Sequence, residues 1–266
     1  MLRIGIIGAG TMGSIIAHAI DEGTVRATLV ALVDLEETRA ESLAGDLSDS
    51  PVLESIAEIA DHVDLIVEAA GVTAVKEVLT AAISRGKDVL VLSVGGLIEA
   101  QDLIDQAENE GTTIYCPSGA IAGIDAIKAG DVGTIESARI TTRKPPAGLA
   151  GAPYLKENGI DVSRLDEPKV VFQGTARDAC RSFPANVNVS AALSLAGIGF
   201  DRTLVTLIAD PGISRNIHEI EVIGDFGTIR TVTENTPSAN PKTSRLAALS
   251  AIALLKNLTG SMRVGT

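Results

Sequence analysis

The hexapeptide Gly8-Ala9-Gly10-Thr11-Met12-Gly13 limits the possible folds more than any other stretch, because of what stands on either side of it. The short apolar run "RIGII" at 3–7 leads in, and "SIIAHAIDEG" leaves with helical spacing and stops at Gly23. The next run, "ATLVALVD" at 27–34, is apolar and rich in β-branched residues, as a parallel strand buried on both faces is, and it ends on Asp34. Strand, glycine turn, helix and a second strand closed by an acid about 20 residues on form the setting in which G-x-G-x-x-G binds a dinucleotide. The glycines have separate tasks there: a tight turn, close approach of backbone to pyrophosphate, and close packing of helix on strand. The phosphates would rest on the N–H groups that open the helix, around Thr11 and Met12, where the dipole favours an anion. Asp34 is either a surface acid closing a strand or the acceptor of the ribose hydroxyls. In the second role it repels a 2′-phosphate, which favours NAD over NADP. Arg39, a turn into the next helix, is the cation that would favour the phosphate, or simply an exposed helical residue.

The alternation continues. Helices are expected near 36–45, 73–85 and 99–110, and strands at 63–70, from 88 and from 112, which together imply a doubly wound parallel sheet of Rossmann type over 1–118. After Gly119 the pattern changes. A helical stretch is followed by "TIESARITTRKPP" and then by strands near 168–174, 203–209, 215–223 and 226–234, with helices near 175–182 and 186–198. Strands that follow one another directly imply an antiparallel or mixed sheet, so a second α/β domain is expected over 119–239. The helix behind Asn240-Pro241, in the segment 240–266, is expected to pack back on the first domain.

At 266 residues with 45% hydrophobic content, one large or two modest domains can be filled. A net charge of −12 argues against a surface for nucleic-acid phosphates, and 2% aromatic content without Trp removes stacking platforms for single strands. Cys116 and Cys180 are too few for a disulfide framework and lack metal-ligand spacing, so a reducing compartment and no metal are expected. The start lacks a basic leader region, and its glycines interrupt any run long enough to span a bilayer. The expectation is a cytoplasmic protein without membrane association.

Several further stretches stand in a fixed order behind "GAGTMG": "SVGGL" at 93–97, "PSGAIAGIDAIKAG" at 117–130, "TTRKPP" at 141–146, "FPANVNVSAALSLAG" at 183–197, "ADPGISRNIHEIEV" at 209–222 and "NPKTSRLAALSAIALL" at 240–255. Together they resemble the L-aspartate dehydrogenase family over nearly the whole chain. The resemblance implies NAD(P)-dependent oxidation of L-aspartate to iminosuccinate, which hydrolyses to oxaloacetate and ammonia or feeds quinolinate and NAD synthesis, with reductive amination as the reverse. It also implies a homodimer formed through the second domain. By motif position the family's active-site histidine falls on His218, and its dinucleotide contacts in the second half fall on Ala122 and Asn188. "SVGGL" departs from the family pattern by a Gly where Ala is expected, which should loosen that loop.

The residues themselves agree with that chemistry. Hydride leaves C2 of an amino acid only after the ammonium has lost a proton, and imidazole, with a pKa of about 6.5, exchanges protons near neutrality. Of three histidines, His18 and His62 are more simply structural, while His218 stands on a strand behind a Pro-Gly turn, with Asp210 and Glu219 as neighbours that could orient its ring. A dicarboxylate needs cations or aimed donors. Arg143, Lys144, Lys242 and Thr243 are the candidates, although strand-end cations are often solvated, and Thr243 or Ser244 also suits a helix cap. Asn188, spaced by two from Asn186 in an apolar helix, needs a defined partner, for which the nicotinamide carboxamide or the backbone at the helix start would serve. Ser118 and Gly119 follow a strand end but lack the pattern of a serine nucleophile. Two other readings remain: a dehydrogenase of another amino or oxo acid such as homoserine, which is expected to use Lys and Asp instead of His, and a non-catalytic NAD(H) sensor, which needs no base.

Overall fold

The computed structural model describes residues 1–49, 51–238 and 243–265. The chain divides into two compact units, one of residues 1–117 with 248–264 and one centred on residues 118–247.

The first unit alternates strands and helices: β1 (Leu2–Ile7), α1 (Thr11–Asp21), β2 (Ala27–Val33), α2 (Glu37–Asp46), β3 (Val52–Leu53), α3 (Ile56–His62), β4 (Leu65–Glu68), α4 (Val75–Ile83), β5 (Asp88–Val91), a 3₁₀ turn (Val94–Glu99), α5 (Gln101–Glu110) and β6 (Ile114–Tyr115). All pairings in its sheet are parallel, in the order β3-β2-β1-β4-β5-β6. The order reverses between β1 and β4, the switch point at which such sheets open a crevice for ligands. Ile4, Ile6, Leu32, Leu65, Val67 and Leu90 bury the sheet interior without exposed surface beyond 2%. Ala251, Ile252 and Leu255, from the last helix of the chain, are in the same core. The sequence reading overlooked β3 and α3; the latter starts at a capping box in which Glu58 accepts from Ser55 N–H at 3.3 Å. The strand expected from 112 shrinks to two residues, after which Cys116–Gly119 leaves the sheet.

The second unit contains α6 (Ile124–Asp131), β7 (Ile135–Lys144), α7 (Pro146–Leu149), α8 (Pro153–Glu157), β8 (Lys169–Thr175), α9 (Ala176–Ser182), α10 (Asn188–Leu195), β9 (Thr203–Ala209), β10 (Asn216–Gly224) and β11 (Gly227–Asn235). The final helix, α11 (Arg245–Thr259), follows. The sheet is mixed, in the order β11-β10-β7-β9-β8, with β7 and β9 parallel and the other pairs antiparallel. Its strands alternate. Ala138, Ile140, Val205, Leu207, Ile220 and Val222 are buried on one face, while Arg139, Leu204, Glu219 and Val232 are exposed on the other. Tyr154, Phe172 and Phe183 pack with ring centroids 5.4 to 5.6 Å apart against the helical side. Among the described residues no helix is long and apolar enough to cross a membrane, and no group of His, Cys, Asp and Glu is placed to hold a metal.

Candidate active site

In the first unit the glycine turn is built to admit a phosphate. Gly8 has φ +104°, and a Cβ there would lie 2.5 Å from the Ala69 carbonyl group and 2.7 Å from Ala70 N. A Cβ on Gly13 would overlap the Gly8 carbonyl oxygen, so helix α1 approaches β1 only because residue 13 has no side chain. Gly10 differs: its Cβ would meet no atom within 4 Å. Gly10 is also the N-cap of α1, no side chain caps the helix, and no acid stands in its first turn, so the N–H groups around Thr11, Met12 and Gly13 are left for an anion. These features fit a dinucleotide pyrophosphate. Asp34 holds the turn in shape, its Oδ2 accepting from Ala9 N–H at 2.7 Å and its Oδ1 from Glu36 N–H at 2.9 Å. Arg39 is paired to Glu36 at 2.8 Å. The "SVGGL" loop is not loosened: it forms the 3₁₀ turn, and a Cβ on Gly96 would sit 2.6 Å from Val75 Cγ2, so the glycine permits close packing.

In the second unit, the alternation of β7 and β10 brings polar residues onto the buried face. His218 and Thr142 are register partners, and Thr142 Oγ1 is 2.9 Å from His218 Nδ1. Lys144 and Asn216, two positions along their strands from that pair, share its face. All four are 3% exposed or less. Burial pushes the His218 pKa down to about 3, with the Lys144 ammonium adding to the effect, and burial pushes Lys144 down to about 8. Burying an ammonium costs several kcal/mol, and a buried lysine with a lowered pKa beside other inward polar groups has the character of a residue that binds an anionic ligand. Asn216 Nδ2 donates to Ser244 Oγ at 3.0 Å, and its Oδ1 is buried without a protein partner. Asn186 Oδ1 and Ser190 Oγ share that condition. Buried polar atoms of this kind call for an explanation, and a bound polar molecule supplies one.

The segment around Ala122 is fixed by β11. Thr233 Oγ1 and Asn235 Nδ2 both donate to the Ala120 carbonyl at 2.9 Å, and Thr231 Oγ1 donates to the Ala122 carbonyl at 3.2 Å. Asn188 is half-buried as the first residue of α10.

Some expectations need correction. Arg143 follows Thr142 on the strand, so it lies on the opposite face from His218, where its Nη1 is 3.2 Å from Asp210 Oδ2; it does not join Lys144. Neither Asp210 nor Glu219 orients the imidazole: Asp210 is engaged by Arg143 and by Gly212 N–H at 2.8 Å, and Glu219 faces outward. Thr142 does so instead. Thr243 Oγ1 is 2.5 Å from Ser238 Oγ, and Lys242 lies outside the described residues. Thr142, Asn216, Thr233 and Asn235 were missed and Ser244 was weighed only as a helix cap, although "RITTRK" and "NIHEIEV" place Thr142, Lys144, Asn216 and His218 at even positions with the apolar residues of the inward face.

Comparison with known proteins decides the family. Residues 125–258 match the family model described as aspartate dehydrogenase, C-terminal, and residues 8–117 match the model described as homoserine dehydrogenase, NAD binding domain. An L-aspartate dehydrogenase of Methanocella arvoryzae is 50% identical over 271 residues, covering 100% of both chains. The chain belongs to the aspartate dehydrogenase family. Another relative carrying that name, from Methanosarcina mazei, is 49% identical with the same coverage. The crystal structure of aspartate dehydrogenase from Thermotoga maritima superposes over 100% of both chains with a TM-score of 0.77 at 24% identity, which shows the shared fold. Membership in this family and the NAD-binding domain model make the chain an NAD(P)-dependent oxidoreductase.

Proposed function

We propose that this enzyme oxidises L-aspartate to iminosuccinate, with His218 as the proton-transfer group. The observation that carries the reading is the pairing of a buried neutral imidazole with a buried ammonium on one sheet face, within the unit that matches the aspartate dehydrogenase C-terminal model. Glycines 8, 10 and 13, Thr11, Met12 and Asp34 hold the adenosine diphosphate portion of the cofactor, and Ala122 and Asn188 contact its nicotinamide end. Bound nicotinamide supplies a hydride acceptor for C2. The remaining chemistry belongs to the chain. When Nδ1–H donates to Thr142 Oγ1, Nε2 carries the lone pair that takes a proton from the substrate ammonium. Lys144 receives a carboxylate oxygen, Asn216 Oδ1 accepts from the substrate amino group, and a carboxylate beside Lys144 offsets the ammonium repulsion that adds to burial in holding the imidazole pKa down. Base strength therefore rises when the dicarboxylate arrives. The reaction converts aspartate and NAD⁺ to iminosuccinate, NADH and a proton, and reductive amination is the reverse.

Iminosuccinate hydrolyses to oxaloacetate and ammonia or serves quinolinate synthesis. Asp34 and the Glu36-bound Arg39 support NAD over NADP. The free thiols of Cys116 and Cys180 support a cytoplasmic setting. The half-apolar outer face of the second sheet, with Leu204 49% and Val232 63% exposed, supports a homodimer through it.

The test is to follow reduced-nicotinamide absorbance with L-aspartate and NAD, then with L-homoserine, L-alanine and L-glutamate. Turnover with aspartate alone among these is the expected result. Turnover with homoserine and silence with aspartate would reverse the assignment.

A further inference from the structure

Glu68 ends the central strand β4 with 0% exposure, and no part of the chemistry above uses it. Four donors converge on its carboxylate. Oε1 accepts from Ala70 N–H at 2.9 Å, Gly71 N–H at 2.8 Å and Ser93 Oγ–H at 2.9 Å, while Oε2 accepts from Ser93 N–H at 2.9 Å. Burial raises the Glu68 pKa, and the four hydrogen bonds pull against that rise. One buried carboxylate thus ties the loop after β4, residues 69–71, to the end of β5. The same loop backs the nucleotide turn, since the Ala69 and Ala70 backbone fills the space where a Gly8 Cβ would stand.

The position of these loops identifies what they serve. Asp34, at the end of β2, marks the adenosine side of β1, and the pyrophosphate belongs at the start of α1. A dinucleotide lying across the switch point therefore extends its nicotinamide half over the ends of β4 and β5, on the other side of β1. We infer that Glu68 is a positioning residue that shapes the bed of the nicotinamide half of the cofactor by holding Ser93 and the end of β5 to the loop at residues 69–71, a link on the side of β1 away from Asp34 and the adenosine. This inference rests on dinucleotide binding by the first unit and is independent of the roles given to His218 and Lys144.

The variant Glu68→Gln isolates the effect. A side-chain amide can keep the three donors at one oxygen, but its NH₂ then faces Ser93 N–H, donor against donor, and unhooks β5 from the loop. Binding is read by fluorescence titration with NADH and by calorimetry with ADP, which lacks the nicotinamide ribose and ring. The expected result is an NADH Kd raised about tenfold or more with an ADP Kd within about twofold of the parent. Equal weakening of both ligands would mean that Glu68 only supports the fold, and unchanged NADH affinity would mean that it does not shape the site; either result overturns the inference. Should Glu68→Gln fail to fold, Ser93→Ala removes only the hydroxyl donor. It should raise the NADH Kd about two- to fivefold, again with ADP unaffected, and equal or absent shifts would count against the inference in the same way.

Discussion

Gly10 and Gly13 lie three residues apart in one turn, and the structure gives a methyl group at each a different consequence. At Gly13 the new Cβ would overlap the Gly8 carbonyl oxygen and stand 3.0 Å from the Gly8 carbonyl carbon and 3.3 Å from Ile6 Cγ2. Two of these atoms are backbone of the turn after β1, which Gly8 N–H ties to the Val33 carbonyl, so relief requires α1 to move off the sheet. Overpacking in a core costs about 1–3 kcal/mol, and a backbone obstacle puts Gly13→Ala at about 3 kcal/mol. For a chain of this size that corresponds to a loss of about 6–12 °C in Tm. At Gly10 a Cβ meets nothing within 4 Å, and φ −75° suits any residue, so Gly10→Ala should leave Tm within about 1 °C. Its methyl instead points to the path of the pyrophosphate, where the backbone must come close. An NADH Kd raised about 10- to 100-fold is expected, a cost of about 1.4–2.7 kcal/mol. Differential scanning fluorimetry without ligand and NADH titration of the same samples separate the two effects. A Gly10→Ala protein that binds NADH as the parent does, or a Gly13→Ala protein that melts as the parent does, would refute the reasoning about this turn.

Asp34→Ala removes the acceptor for Ala9 N–H and the charge that repels a 2′-phosphate; the ratio of NAD to NADP kcat/KM should fall about tenfold or more, and an unchanged ratio would clear that carboxylate of any part in cofactor choice. His218 should also make stability depend on pH. In the unfolded chain its imidazole takes a proton below about pH 6.5, whereas in the folded chain burial holds the pKa near 3. Between those values the unfolded state binds more protons, so stability falls as pH is lowered, by up to about 1.4 kcal/mol per pH unit. Thermal unfolding followed from about pH 7.5 down to about 5.5 should show this decline, and His218→Asn should flatten it; a parallel decline in the variant would place the effect elsewhere.

Much of the fold was legible because its local signals agree with its global form. The run Ala27–Val33 is apolar in a period that fits a doubly covered strand, and Gly8 and Gly13 each have a distinct steric reason to be glycine, while Gly10 leaves open space in front of the helix start. Short elements were harder. β3 is two residues long and has no period to detect, while α3 carried a readable Ser55–Glu58 capping box that was not used. In the second unit, His218 was found from its setting, but its neighbours were sought among residues adjacent in sequence. Strand geometry turns adjacent residues to opposite faces, which is why Glu219 is not its partner and Arg143 does not join Lys144, whereas Thr142, 76 residues away on the neighbouring strand, is; Asp210 lies outside the strand and is engaged by Arg143. Glu68 could not be found from sequence, since a single acid at a strand end gives no sign of four donors meeting on it.

The central claim is that the imidazole of His218 moves the substrate proton. Steady-state turnover of His218→Ala with L-aspartate and saturating NAD, measured beside its NADH Kd, tests this most directly. The account predicts a kcat lowered by about 10² to 10⁴ with the NADH Kd unchanged. A variant that loses NADH affinity yet turns over at the parent rate once saturated would contradict it.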